Sequence, residues 1–386
     1  MERRLRVGIL GAARNVPFSV LEPIRNNADL AGKIDVMGIA SLEQKDAETA
    51  AKGWGIAKAY KNFEELLQDP SIDGVYNVLP REAGLAPSFL PKPPERDASP
   101  KVRASWTVRA LMAGKHVLSE TPLGVNAAEA LLAQRAAEDA GRVLVEGTHP
   151  KCHPVTKRVR EMIMQGKVGC LEHIDLNLPV GHGLDGKMIC SRAGAMMSLG
   201  CHGVAIVRAL AGEEPRVISA TAQPSKENPE VDITMSCNLR MPGGAAAHIG
   251  CSVALDSKES PSVFTITGAG GCIRVKEWFT GKGRSSNEIA LEQFDESGER
   301  FIERIDNPQV RDTFYFMLMT FITEIRDQER RQEVGMPWSY GQTKGPADAV
   351  LNMATIDAVY KAAGMKPRSS STPLPEPYNR IGHSKL

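Results

Sequence analysis

The chain has 386 residues, 42% of them hydrophobic and 24% charged, a length that suggests two domains and a composition that excludes a disordered or collagen-like chain. Lys and Arg number 47 against 46 Asp and Glu, so no net field attracts polyanions and nucleic acid is not an expected partner.

Leu5, Val7, Ile9 and Leu10 predict a strand that runs into a small-residue turn at Gly8-Ile9-Leu10-Gly11-Ala12-Ala13, with a helix following from Phe18 to Arg25. The alternation continues with a strand from Val36 to Ala40, a helix from Lys45 to Lys52, a helix from Phe63 to Leu67 capped by Asn62 and a strand from Gly74 to Val78. A helix from Trp106 to Ala113, a strand from His116 to Ser119, a helix from Ala127 to Ala140 and a strand from Val143 to Glu146 close the series. Strands and helices in alternation imply a parallel sheet covered on both faces, an α/β Rossmann domain over residues 1–150. The segment from Arg81 to Ser105 interrupts it with five prolines where a connection of about 2 to 6 residues is usual, and reads as an insertion at the ligand-binding edge of the sheet.

Beyond Pro154 come a helix from Thr156 to Gln165, a strand from Leu171 to Asn177 and a long helix from about Gly194 to Ala211. Strands then predominate, at Val217–Ala222, Ile233–Leu239, Ala245–Val253, Val263–Thr267 and Cys272–Val275. Residues 151–386 therefore read as an α+β domain on an open, mainly antiparallel sheet, ending in helices Asp312–Arg326 and Ala347–Ala363 and a Ser/Pro-rich tail. No apolar run is long enough to span a membrane, and no signal-peptide-like stretch precedes the first strand, so a cytoplasmic protein is expected. Seven cysteines without a C-x-x-C pair read as thiols.

Small residues at Gly8, Gly11, Ala12 and Ala13, between the first strand and the first helix, let a backbone approach a pyrophosphate closely. The second strand ends in Ala40-Ser41-Leu42, with no acid to repel a 2′-phosphate. Ser41 as donor and Lys45 as cation point to NADP over NAD. His149, His153, His182 and His202 fall on separate elements with no nearby carboxylates, so no metal is expected, and no G-x-S-x-G elbow is present.

Val7-Gly8-Ile9-Leu10-Gly11-Ala12-Ala13, Gly74-Val75-Tyr76-Asn77, Gly114-Lys115-His116-Val117-Leu118 and Gly194 to His202 resemble the glucose-fructose oxidoreductase, inositol dehydrogenase and rhizopine catabolism (Gfo/Idh/MocA) family over almost the whole chain. The likeness is greatest to its dihydrodiol dehydrogenase and NADP-linked xylose dehydrogenase branch. The resemblance implies NAD(P)-dependent oxidation or reduction of a hydroxyl or carbonyl on a small or medium substrate, and a homodimer joined through the open sheet of the second domain, whose uncovered face is expected to be apolar. Candidate cofactor contacts are Gly8, Gly11, Ala12, Ala13, Ser41, Lys45, Leu79, Pro80 and Glu120.

The family's Glu-Lys-Pro motif stands here as Glu120-Thr121-Pro122, so a cationic donor is replaced by Thr121. The second motif pairs Asp with His or Tyr four residues later, and here those positions are Ser198 and His202. His202 is then the proton-exchanging group, with Ser198 on the same helical face, Lys151 as a substitute cation and His149 nearby in the segment Thr148 to Pro154. The loss of two charged groups also admits a non-redox cyclase, isomerase or eliminating enzyme, or a silent NAD(P)-binding regulator, on the same scaffold.

Overall fold

The structure, a computed structural model, describes residues 3–79, 102–180, 193–256, 262–279, 287–293, 300–304, 311–336, 339 and 345–370. Two compact units are present. One is Met1–Gly147 with Met317–Met353 and the start of the tail from Ser369; the other is Thr148–Phe316 with Ala354–Arg368.

In the first unit, β1 (Leu5–Leu10), β2 (Ile34–Ala40), β3 (Gly74–Asn77), β4 (His116–Ser119) and β5 (Leu144–Glu146) form a five-stranded sheet in the order β2-β1-β3-β4-β5. Every pairing is parallel. Ile9, Leu10, Val75, Val117 and Leu144 are fully buried, as strands covered on both faces require. The chain leaves β1 for β2 on one side and returns to β3 on the other, which makes a switch point beside β1. Asn62 and Asn126 accept from the amides of Glu65 (2.8 Å) and Glu129 (3.0 Å), capping helices Phe63–Gln68 and Ala127–Ala140. Lys115 Nζ donates to the carbonyls of Asp69 and Ile72, each at 2.8 Å, and His116 Nδ1 accepts from the Val143 amide at 3.0 Å. That stretch of the resemblance is a brace rather than part of a site.

Two elements differ from expectation here. The first helix opens with a π-helical turn, Pro17–Leu21, before helix Glu22–Asn26, and the Glu22 amide reaches back five residues to the Pro17 carbonyl. The helix expected from Trp106 begins at Val102 and runs to Met112, because the proline run ends at Pro100 and Asn77 Nδ2 fastens the Arg103 carbonyl at 2.9 Å. Val102 to Ser105 are thus helix, and the rest of the insertion, with Pro80, lies outside the described residues.

The second unit holds an eight-stranded sheet of β6 (Leu171–Val180), β7 (Arg216–Pro224), β8 (Asp232–Arg240), β9 (Ala246–Asp256), β10 (Val263–Gly268), β11 (Gly271–Lys276), β12 (Glu288–Gln293) and β13 (Arg300–Arg304). The order is β13-β12-β11-β10-β6-β9-β8-β7, antiparallel apart from β6 against β9. β12 and β13 were not anticipated, since their charged residues hide the alternation; Arg304–Glu288 (2.8 Å) and Arg274–Glu292 (3.2 Å) pair those charges across strands. Ile174, Leu176, Cys237, Ile249 and Phe264 point to the buried face. The opposite face is polar, not apolar as expected: His248 bridges Asp175 (Nδ1 to Oδ2, 3.0 Å) and Ser236 (Nε2 to Oγ, 2.9 Å), and Asp175 raises the pKa of that imidazole. Among the described residues, no helix is long and apolar enough to cross a membrane.

Candidate active site

The site-forming residues of the first unit gather at the carboxyl ends of its strands. Gly11 has φ +109°, a conformation that a side chain makes costly, and its amide donates to the Ala40 carbonyl at 2.8 Å, tying the turn to β2. A Cβ at Gly8 would stand 2.7 Å from Leu66 Cδ2. From Gly11 through Ala12 to Ala13, just past the end of β1, no side chain is larger than a methyl, and this fits a bound diphosphate. Ser41 is buried just beyond β2, and Lys45 is exposed in the first turn of helix Gln44–Trp54. Arg14, half-buried after the same turn, adds a cation that the expectation left to Lys45.

Glu120 connects this turn to the end of β4. Its Oε1 accepts from Asn15 Nδ2 at 2.6 Å and from the Tyr76 hydroxyl. Burial, and then Glu120, hold the Tyr76 phenol well above its ordinary pKa, so it stays protonated. Leu79 is buried at the end of β3, its amide donating to Asn77 Oδ1 at 3.2 Å. Thr121 is buried and joined to Pro122 by a cis peptide bond. Arg103, hidden in sequence at the end of the insertion, donates to the carbonyls of Leu79, Glu120, Thr121 and Pro122.

The second unit brings together residues far apart in sequence. His149 opens the short helix His149–Cys152, and its Nδ1 lies 2.7 Å from Thr313 Oγ1. Its ring stacks on Phe314 at 4.2 Å and meets His202 and Phe279 edge-on, at 5.0 and 5.1 Å; His202 meets Phe279 at 4.9 Å. Both histidines are buried. Burial, and then His202, push the His149 pKa well below its usual value, so this ring is neutral at pH 7. Phe279 and Trp278 follow Glu277, whose φ of +52° is uncommon for a residue with a side chain. Thr313, Phe279 and Phe314 carry no local sequence signal.

The helix expected from Gly194 is a π-helical turn, Met196–Gly200, continued by helix Cys201–Ala211. Ser198 lies in the first and His202 in the second, so the wider turn rotates Ser198 from the place an unbroken α-helix would give it. Asp232, fully buried, holds the start of this element: it accepts from the Met196 amide at 2.6 Å and the Tyr360 hydroxyl at 2.8 Å. Burial raises its carboxyl pKa against those donors.

Lys151 is half-buried on the short helix of His149. His153 does other work: its Nδ1 accepts from the Val155 amide at 3.3 Å as a helix cap, and burial lowers its pKa to about 4. His182 lies outside the described residues. No group of three or more His, Cys, Asp or Glu side chains converges as a metal site among the described residues.

Two family profiles match this chain: "Oxidoreductase family, NAD-binding Rossmann fold" over residues 5–148, and "GFO/IDH/MocA C-terminal domain" over residues 156–274. D-xylose 1-dehydrogenase (NADP(+)) 2 of Haloferax volcanii is 30% identical over 64% of this chain and 68% of its own. Trans-1,2-dihydrobenzene-1,2-diol dehydrogenase of Mus musculus is 27% identical over 63% of this chain and 66% of its own. The crystal structure of a 3-ketoreductase from Actinomadura kijaniata, in complex with NADP and TDP-benzene, shares the fold at a TM-score of 0.74 and 20% identity, covering 93% of this chain and 98% of that one. With residues 5–148 and 156–274 matched in order by these two profiles, the protein belongs to the Gfo/Idh/MocA family of NAD(P)-dependent oxidoreductases.

Proposed function

We propose that this protein is an NADP-preferring oxidoreductase acting on a hydroxyl or carbonyl of a small or medium polyhydroxylated substrate, with His202 exchanging the substrate proton. The contact between His149 and His202 carries this reading. A neutral His149, fixed by Thr313 and stacked on Phe314, is a rigid wall that orients the His202 ring and excludes water. The bound dinucleotide supplies hydride chemistry. Gly11, Ala12 and Ala13 leave room for its diphosphate, while Ser41, Lys45 and Arg14 offer a donor and cations to a 2′-phosphate. Lys151 supplies positive charge on the His149 helix, and Thr121 and Ser198 are neutral hydroxyl donors where the resemblance has charged groups.

Those two replacements favour a second reading, a non-redox reaction on the same scaffold. Nicotinamide absorbance separates the two. Turnover of NADPH or NADP with at least one carbonyl or alcohol in a panel of sugars, polyols and dihydrodiols supports the oxidoreductase; tight NADPH binding with a silent panel supports the other.

A homodimer joined through the second unit's open sheet face is part of the proposal, with the Asp175–His248–Ser236 chain at the interface; light scattering that gives one chain's mass at all concentrations overturns it. A cytoplasmic setting fits the six described cysteines, all of them thiols.

A further inference from the structure

We propose that Arg103 is a positioning residue of the cofactor site, shaping the wall on which the nicotinamide half of the dinucleotide rests. The inference rests on the cofactor reading above. Arg103 is 7% exposed. Its Nε donates to the Leu79 carbonyl at 2.7 Å, and one terminal nitrogen lies 3.3, 3.2 and 3.2 Å from the carbonyls of Glu120, Thr121 and Pro122. These carbonyls continue β3 and β4, neighbouring strands paired through Asn77 and Ser119. Past the last ladder bond each needs another donor, and buried carbonyls are costly to leave without one. One planar guanidinium serves both strand ends, which a lysine ammonium with its compact point of charge cannot do with the same geometry. The helix is locked in turn: Asn77 Nδ2 donates to the Arg103 carbonyl and to Thr107 Oγ1, both at 2.9 Å.

Where these strand ends lie assigns them a function. A dinucleotide laid across the switch point beside β1 has its adenosine over β2, where Ser41 sits, and its nicotinamide half over β3 and β4. Arg103 therefore braces one half of the cofactor site and not the other. Its guanidinium also donates to the backbone carbonyl of Thr121 itself.

The test is titration calorimetry of the full chain and of Arg103→Met and Arg103→Lys with two probes, NADPH and 2′-phospho-ADP-ribose, which keeps the adenosine and diphosphate but lacks nicotinamide. Both variants are expected to bind NADPH about tenfold or more weakly, equivalent to about 1.4 kcal/mol. Their affinity for 2′-phospho-ADP-ribose should stay within about twofold of wild type, inside the spread expected for a site that has not changed. The fluorescence of bound NADPH should shift in the variants as the nicotinamide loses its fixed surroundings. Equal weakening of both probes, no weakening of either, or loss of folding in both variants overturns the proposal, since each makes Arg103 a fold residue or a bystander. If Arg103→Met alone fails to fold, Arg103→Lys decides by the same comparison. A wild-type chain that binds neither probe removes the cofactor reading itself, a different result from any of these.

Discussion

The imidazole of His149 stands edge-on to that of His202, ring centroids 5.0 Å apart, though 53 positions separate them in the chain. Thr313 and Phe314, more than 100 positions further on, hold His149 in place. The packing fixes one ring and through it limits the other.

Thr313 should therefore act through His149. Thr313→Val removes a hydrogen bond worth about 1 kcal/mol, so turnover should fall about five- to tenfold, with Thr313→Ser restoring it. NADPH affinity should not change, because Thr313 belongs to the second unit and the dinucleotide turn to the first. Steady-state kinetics beside a binding titration check this; a fall in NADPH affinity matching the fall in turnover counts against an orienting role.

Gly11→Asp should abolish NADP binding. The change forces a side chain onto φ +109°, sets a Cβ 3.1 Å from Leu79 Cδ2 and brings a negative charge to the diphosphate position. Thermal shift with and without NADP is the measurement: wild type should gain stability with ligand and the variant should not, while both melt cooperatively.

Acid should weaken the fold through its buried and half-buried histidines. His153 and His116 have pKa values lowered to about 4, and His149 lies well below its usual value, all chiefly by burial. Below the unfolded value of about 6.5 the unfolded chain takes protons that the native chain refuses, so stability is full above pH 7 and falls as pH drops toward 4. For His153, 2% exposed, the loss is on the order of 3 kcal/mol across that window. His153→Asn keeps a capping oxygen for the Val155 amide but removes the titration, so the slope of urea stability between pH 6.5 and 5 should drop by about one proton. An unchanged slope contradicts the placement of His153.

Regular, apolar elements were legible in the sequence and long-range convergence was not. The strand His116–Ser119, the helix Ala127–Ala140 and the Asn62 cap are written in local periodicity and end signals, so they stand where expected. The tight turn after β1 was readable because small residues fall together in one short stretch at the end of an apolar strand. Arg103 was not: it lies in the first turn of the helix that follows the proline run, and its partners come from two other strand ends. The same holds for Thr313, Phe279 and Phe314, which only tertiary packing brings to His149. The strands β12 and β13 gave no strand signal because cross-strand neighbours, not sequence neighbours, neutralise their charges. The polar open face was misjudged for a related reason, as Asp175, His248 and Ser236 satisfy one another only across strands.

The central claim is that His202 exchanges the substrate proton while the first unit holds NADP. Its most direct test is His202→Ala, measured for NADPH affinity by fluorescence titration and for turnover by nicotinamide absorbance with a carbonyl substrate that the wild type reduces. Loss of a general acid or base costs about 10²- to 10⁴-fold in rate, and the account predicts a fall of that size with affinity unchanged. Full turnover in the variant, or a loss of rate explained wholly by weaker NADPH binding, would contradict it.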